Sequence, residues 1–157
     1  MRLRTLALRV VANFALALWI GGFTFYGAVV VPILHEDLDS LQAGGITRRV
    51  TDSLNLSGLA ALAIAWPAAW SDHTRASNRV RRLRFGLLAL TSLCLIGLMG
   101  LHVVMDSQLD AGRLRGFYPW HRIYLILSTV QWFVNLALIA AFLASWTGPV
   151  LSTNEPA

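Results

Sequence analysis

Four long runs without a formal charge constrain the fold of this chain more than any other feature. They cover residues 10–34, 53–71, 85–105 and 123–154, which are 25, 19, 21 and 32 residues long. A helix of about 20 apolar residues crosses the hydrocarbon core of a bilayer. In lipid, the backbone N–H and C=O groups must form their hydrogen bonds within their own segment. Each run is therefore predicted to be a transmembrane helix.

The predicted architecture is a single membrane domain with spans near 9–34, 54–71, 85–106 and 120–146. The connections are short, so consecutive helices should pack antiparallel as an up-down bundle. The segment between the first two spans is predicted to hold a short surface helix broken at Gly44-Gly45, and residues 147–157 are predicted to form a mobile tail. The fold class is therefore an all-α integral membrane protein, a four-transmembrane-helix antiparallel bundle surrounded by the lipid bilayer.

The first run follows Arg2, Arg4 and Arg9, as the apolar region of a signal peptide would. It continues to Leu34, however, whereas a signal peptide has an apolar region of about 7–15 residues. We therefore expect this segment to be retained as the first transmembrane helix.

Composition and charge exclude several classes of protein. Hydrophobic residues make up 56% of the chain and charged residues only 13%, about half the charged share of a soluble domain. The net charge is +5, but the 13 basic residues are all arginines and most of them flank the apolar runs, which indicates membrane topology rather than nucleic-acid binding. Eight of the 13 arginines lie on the inner side if the N-terminus is inside. This excess predicts cytoplasmic termini in a bacterial inner (plasma) membrane.

Polar residues recur at helical spacing in three of the predicted helices. Burying such groups in a membrane is costly, so they are candidates for a functional site. They also serve as hydrogen-bond partners between helices, and the sequence leaves both interpretations open. The stripes consist of Asn13, Thr24 and His35 in the first helix, Thr91, His102, Met105 and Asp106 in the third, and His121, Tyr124, Ser128, Gln131 and Asn135 in the fourth.

Three histidines, His35, His102 and His121, fall at the predicted outer ends of helices. Asp106 follows His102 by four residues, so their side chains can meet on one helix face. Such a cluster could bind copper or zinc, with Met105 as a soft ligand for copper. Two of the histidines could ligate a haem b iron, or a histidine and a carboxylate could relay protons. Arg122 could pair with Asp106 or Asp110 across the short outer connection.

The first helix also carries a family resemblance. Leu18-Trp19-Ile20-Gly21-Gly22-Phe23, followed by Val29-Val30-Val31-Pro32, resembles the small four-helix membrane proteins of the DUF4149 family. More distantly, it is similar to the copper resistance D-like group, which implies copper handling or haem-binding oxidases. Haem-linked members carry a histidine about two turns before the tryptophan, where this chain has Val11-Ala12-Asn13-Phe14.

Several functions therefore remain open at this point. The first is metal binding or transfer at an outer site formed by His35, His102, His121, Asp106 and Met105. The second is haem-based redox chemistry, and the third is a non-catalytic accessory subunit in a larger complex or a homo-oligomer. A zinc-dependent membrane hydrolase is weaker because no clear nucleophile accompanies the histidines.

Overall fold

The described part of each of the four uncharged runs lies within one long helix. The computed structural model describes residues 3–71, 78–110, 112 and 114–144, so the predicted tail at 147–157 lies outside the described residues. The helices are α1 (Leu3–Phe25), α2 (Val31–Asp37), α3 (Ser40–Ser71), α4 (Asn78–Asp110) and α5 (Leu114–Ala144), and a π-helical segment, Tyr26–Val30, joins α1 to α2.

The predicted fold class is confirmed. The segment from α1 to α2 forms one continuous helix, which gives four helices long and apolar enough to cross a membrane. The described residues form no strand. The protein is therefore an all-α membrane bundle.

The helices extend beyond the predicted spans and therefore include residues that were assigned to the connections between spans. The predicted break at Gly44-Gly45 is wrong, because α3 runs through both glycines from Ser40. The carboxylate of Asp39 accepts a hydrogen bond from the backbone N–H of Gln42 at 2.9 Å and so caps the start of this helix. Glycine weakens a helix by roughly 1 kcal/mol relative to alanine, which does not break one that is held by contacts along its length.

The π-helical segment ends just before Pro32. The N–H of Val31 bonds to the carbonyl of Tyr26, five residues earlier. Proline lacks an N–H, and its ring clashes with the carbonyl four residues before it, so a regular α-helix is disfavoured here. Tyr26, at the start of the widened turn, is buried.

The bundle consists of two closely packed helix pairs that meet along a looser seam. One pair is α1 with α3, and the other is α4 with α5.

The main apolar core lies toward the end of the bundle where α1 begins and α5 ends. We call this end the arginine end, because Arg9 and Arg84 are buried there, and the opposite end the histidine end, after His102. The largest apolar side chains of the core are Leu16, Trp19, Leu62, Leu88, Leu95, Leu138 and Phe142.

Candidate polar site at the histidine end

A network of charged side chains joins α3 to α4 at the histidine end. Nε2 of His102 lies 3.0 Å from Oδ1 of Asp52 and 3.7 Å from Oδ2 of Asp106. Arg48 approaches the same Asp106 oxygen at 3.0 Å and Asp110 at 3.5 Å. Asp106 therefore lies between a guanidinium and an imidazole, whereas Asp52 pairs with the imidazole.

His102 is buried beneath an exposed carboxylate. Its side chain is 10% exposed, and that of Asp52 is 63% exposed. Neither ring nitrogen makes a hydrogen bond within the described part of the chain, so the 3.0 Å contact has the distance of an ion pair without the direction of a hydrogen bond. A buried imidazole thus lies next to a side chain that is in contact with water.

Polar side chains continue from His102 toward the middle of the bundle. The ring of Tyr124 on α5 lies 6.4 Å from that of His102, centroid to centroid. Tyr124 also lies close to the side chains of Asn55 and Asp52 on α3 and to that of Tyr26. These contacts connect the charged network to the seam between the helix pairs.

The polar stripe of α5 faces the seam. Tyr124, Ser128, Gln131 and Asn135 are all buried. Ser128, Gln131 and Asn135 line a small cavity together with Asn55. The stripe therefore lies inside the protein rather than against lipid.

The remaining polar residues of the predicted stripes, Asn13, Thr24 and Thr91, have different surroundings. Thr24 accepts a hydrogen bond from Nε1 of Trp132 at 2.8 Å and donates one to the carbonyl of Ile20 at 2.7 Å. Asn13 donates to the carbonyl of Arg9 at 3.0 Å. Thr91 is fully buried on α4.

Several polar contacts cross the seam rather than reinforcing one helix pair. Besides the charged network, they include bonds from Trp66 to Ser92 at 3.2 Å and from Arg84 to the carbonyl of Ala69 at 2.9 Å. The Trp132–Thr24 bond joins α5 to α1 in the same way. Polar side chains thus help to hold one pair to the other, in addition to the apolar core to which both pairs contribute.

The other predicted ligands lie in different surroundings. His35 on α2 is exposed, and His121 stacks on Phe117 with 5.3 Å between ring centroids. Met105 packs among apolar side chains beside Leu98 and Tyr124. In the part of the chain that the structure describes, no three His, Cys, Asp or Glu side chains form a group that could hold a metal ion. The three-histidine metal or haem site therefore stays a prediction.

Sequence reasoning missed two members of the charged network. Arg48 and Asp52 were placed in a connecting segment, but they lie one turn apart on α3 and precede Asn55 on the same face. The predicted pairing of Arg122 with Asp106 or Asp110 is wrong, since Arg48 is the arginine that reaches both carboxylates. The spacing of Arg48, Asp52 and Asn55, at steps of four and three, was a signal that could have found them.

The fold and the polar seam together define a four-helix integral membrane protein. The family model described as "Domain of unknown function (DUF4149)" matches residues 14–113. The chain therefore belongs to the DUF4149 family. The matched region contains both His102 and Asp52 and ends before α5 begins. No curated protein and no solved structure matches the chain.

Proposed function

We propose that the protein takes up a proton from the outer aqueous phase at the histidine end. His102 is the acceptor, and Asp52 is the exposed group through which it exchanges protons with water. The observation that carries this proposal is the 3.0 Å contact between a buried imidazole and an exposed carboxylate on another helix. Histidine is the side chain whose charge changes most readily near neutral pH.

The charges around His102 favour this chemistry. Arg48 and Asp52 face it from α3, Asp106 lies next to it on α4, and Tyr124 contacts it from α5. With a neutral imidazole, the guanidinium of Arg48 compensates the charge of one of the two carboxylates nearest His102. A proton on His102 compensates the other, so proton uptake leaves the exposed Asp110 as the one carboxylate of the network without a cation of its own.

The route into the protein ends within the bundle. Tyr124 and Asn55 continue the polar contacts past His102. Toward the arginine end, Leu88, Leu95, Leu138 and Phe142 form a layer that is at most 1% exposed. A layer of this kind gives a proton few hydrogen-bonding partners, and the buried hydroxyl of Thr91 on α4 is the polar group among these side chains. The proposed protein is thus proton-responsive and does not conduct protons across the membrane.

The absence of conduction is testable in vesicles. Wild-type protein reconstituted with an entrapped pH-sensitive dye should give no more proton flux after an external pH step than protein-free vesicles do. Potentiometric titration in detergent should show fewer protons taken up per chain by His102→Gln than by the wild type when the pH is lowered from about 8 to about 5. Steady flux dependent on the protein would contradict the closed route, and superimposable titration curves would contradict the role of His102.

Metal and haem binding at His35, His102 and His121 are competing proposals, and the contact of Arg48 with Asp106 counts against a metal ligand there. An absorption spectrum and elemental analysis of the purified protein separate them from proton uptake. A haem Soret band or stoichiometric copper or zinc, lost in the triple alanine variant, would replace our proposal. A protein without cofactor that co-purifies with a larger membrane complex would instead support the accessory-subunit hypothesis.

The side of the membrane that the histidine end faces is part of the proposal. The arginine count supports an outer position for this end, with both termini in the cytoplasm of a bacterial cell. Reporter fusions at the C-terminus of the full chain test this orientation, and a periplasmic C-terminus would contradict uptake from the outer phase.

A further inference from the structure

A small cavity lies in the seam between the helix pairs, and side chains from both pairs line it. Its volume is about 10 Å³. It begins about one helical turn from Tyr124 toward the arginine end, next to Ser128 on α5. The lining residues that matter here are Trp19, Asn55, Leu98, Ser128, Gln131 and Asn135.

Two of the lining side chains carry polar atoms without a partner. Nε2 of Gln131 and Oδ1 of Asn135 make no hydrogen bond within the described residues, although their residues are only 5% and 4% exposed. One of these atoms is a donor and the other an acceptor. Because buried polar groups in native proteins are almost always hydrogen-bonded, this pair indicates a bound molecule that accepts one bond and donates another.

We propose that the cavity binds a single water molecule that accepts a hydrogen bond from Gln131 and donates one to Asn135. A cavity of this volume corresponds to roughly one water molecule, so a larger polar ligand does not fit. An apolar occupant would leave both amide atoms unpaired. The hydroxyl of Ser128 donates to the carbonyl of Leu125 at 3.0 Å, which leaves its oxygen free to accept a further bond from the water. The water site goes beyond the proposed proton uptake and does not depend on it.

Magnetisation transfer from water to leucine methyl groups tests the site directly. The full-length protein is perdeuterated, labelled at its leucine methyl groups and studied in detergent micelles. Leu98 lines the cavity, whereas Leu138 is fully buried in the apolar core. We expect a nuclear Overhauser signal from water at the Leu98 methyls and none at Leu138. No signal at Leu98, or a signal there from detergent acyl chains, would overturn the proposal.

Three variants identify the water's partners. Asn135→Leu removes the acceptor and fills the cavity, and Gln131→Met removes the donor at similar length, so each should lose at least half of the Leu98 signal. Gln131→Met keeps the test valid if Asn135→Leu does not fold. Ser128→Ala should keep most of the signal, because both amides still hold the water, whereas complete loss would assign the signal to an exchanging hydroxyl instead of a bound water. Unchanged signals in both amide variants would overturn the proposal, whatever the behaviour of His102.

Discussion

Replacing Gly58 with alanine is expected to destabilise the bundle by about 1–3 kcal/mol. A Cβ at this position would lie 2.5 Å from Cε2 and Cζ2 of Trp19 and 2.8 Å from its Nε1. Trp19 is itself buried, 5% exposed, and its indole is rigid, so it cannot move aside without disturbing α1. The methyl group must therefore push apart α1 and α3, which form one of the two closely packed pairs.

Unfolding of the protein in detergent micelles measures this loss. Gly86→Ala is the matched control, because a Cβ there meets no heavy atom within 4 Å. We expect the control to be as stable as the wild type or slightly more so, since alanine favours the helix. Combining Gly58→Ala with Trp19→Leu should cost less than the two single changes added together. Equal stability of Gly58→Ala and Gly86→Ala would show that α1 and α3 do not pack as described.

Replacing Arg84 with alanine is expected to cost about 2–5 kcal/mol, as other truncations of large buried side chains do. Arg84 is fully buried at the arginine end. Its Nη2 donates to the carbonyl of Ala69 at 2.9 Å, and its Cζ lies 5.4 Å from the centre of the Phe142 ring. The change leaves a cavity in the core and removes a hydrogen bond that joins α4 to α3.

Two further variants separate the parts of this effect. Arg84→Met retains most of the side-chain volume and should lose less stability than Arg84→Ala. Arg82→Ala removes an exposed arginine from the same helix and should change stability by no more than about 0.5 kcal/mol. The three variants are compared by the same unfolding measurement. If Arg84→Ala unfolds like the wild type, the buried position of the guanidinium is contradicted.

The helix pattern of the chain was predictable because lipid imposes it. Long uncharged runs must form helices, and short connections make them antiparallel. Within α4, even the buried face follows from the sequence, since its members recur at alternating steps of four and three residues. The residues at these steps are Arg84, Leu88, Thr91, Leu95, Leu98, His102 and Met105. Arg84 is a charged residue that composition alone would assign to the surface.

The candidate site was less predictable, because charges served to end the predicted spans. Arg48 and Asp52 were excluded from the second span for that reason, although α3 continues through them to Ser40. The sequence also does not give the rotation of each helix about its axis, which decides which side chains meet across the seam. His102 consequently contacts Asp52 of α3. His35 and His121 have a similar predicted depth, but His35 is exposed and His121 stacks on Phe117.

The central claim is that buried His102 exchanges protons with water through Asp52. NMR of protein labelled at the histidine rings tests it most directly, in micelles over roughly pH 5–8. We predict that the His102 signals report a change of protonation state in this range. Asp52→Asn should alter that response, whereas Asp37→Asn, which removes an exposed carboxylate on α2, should leave the His102 response unchanged. A His102 ring that keeps one protonation state throughout, or responds identically in Asp52→Asn, would contradict the account.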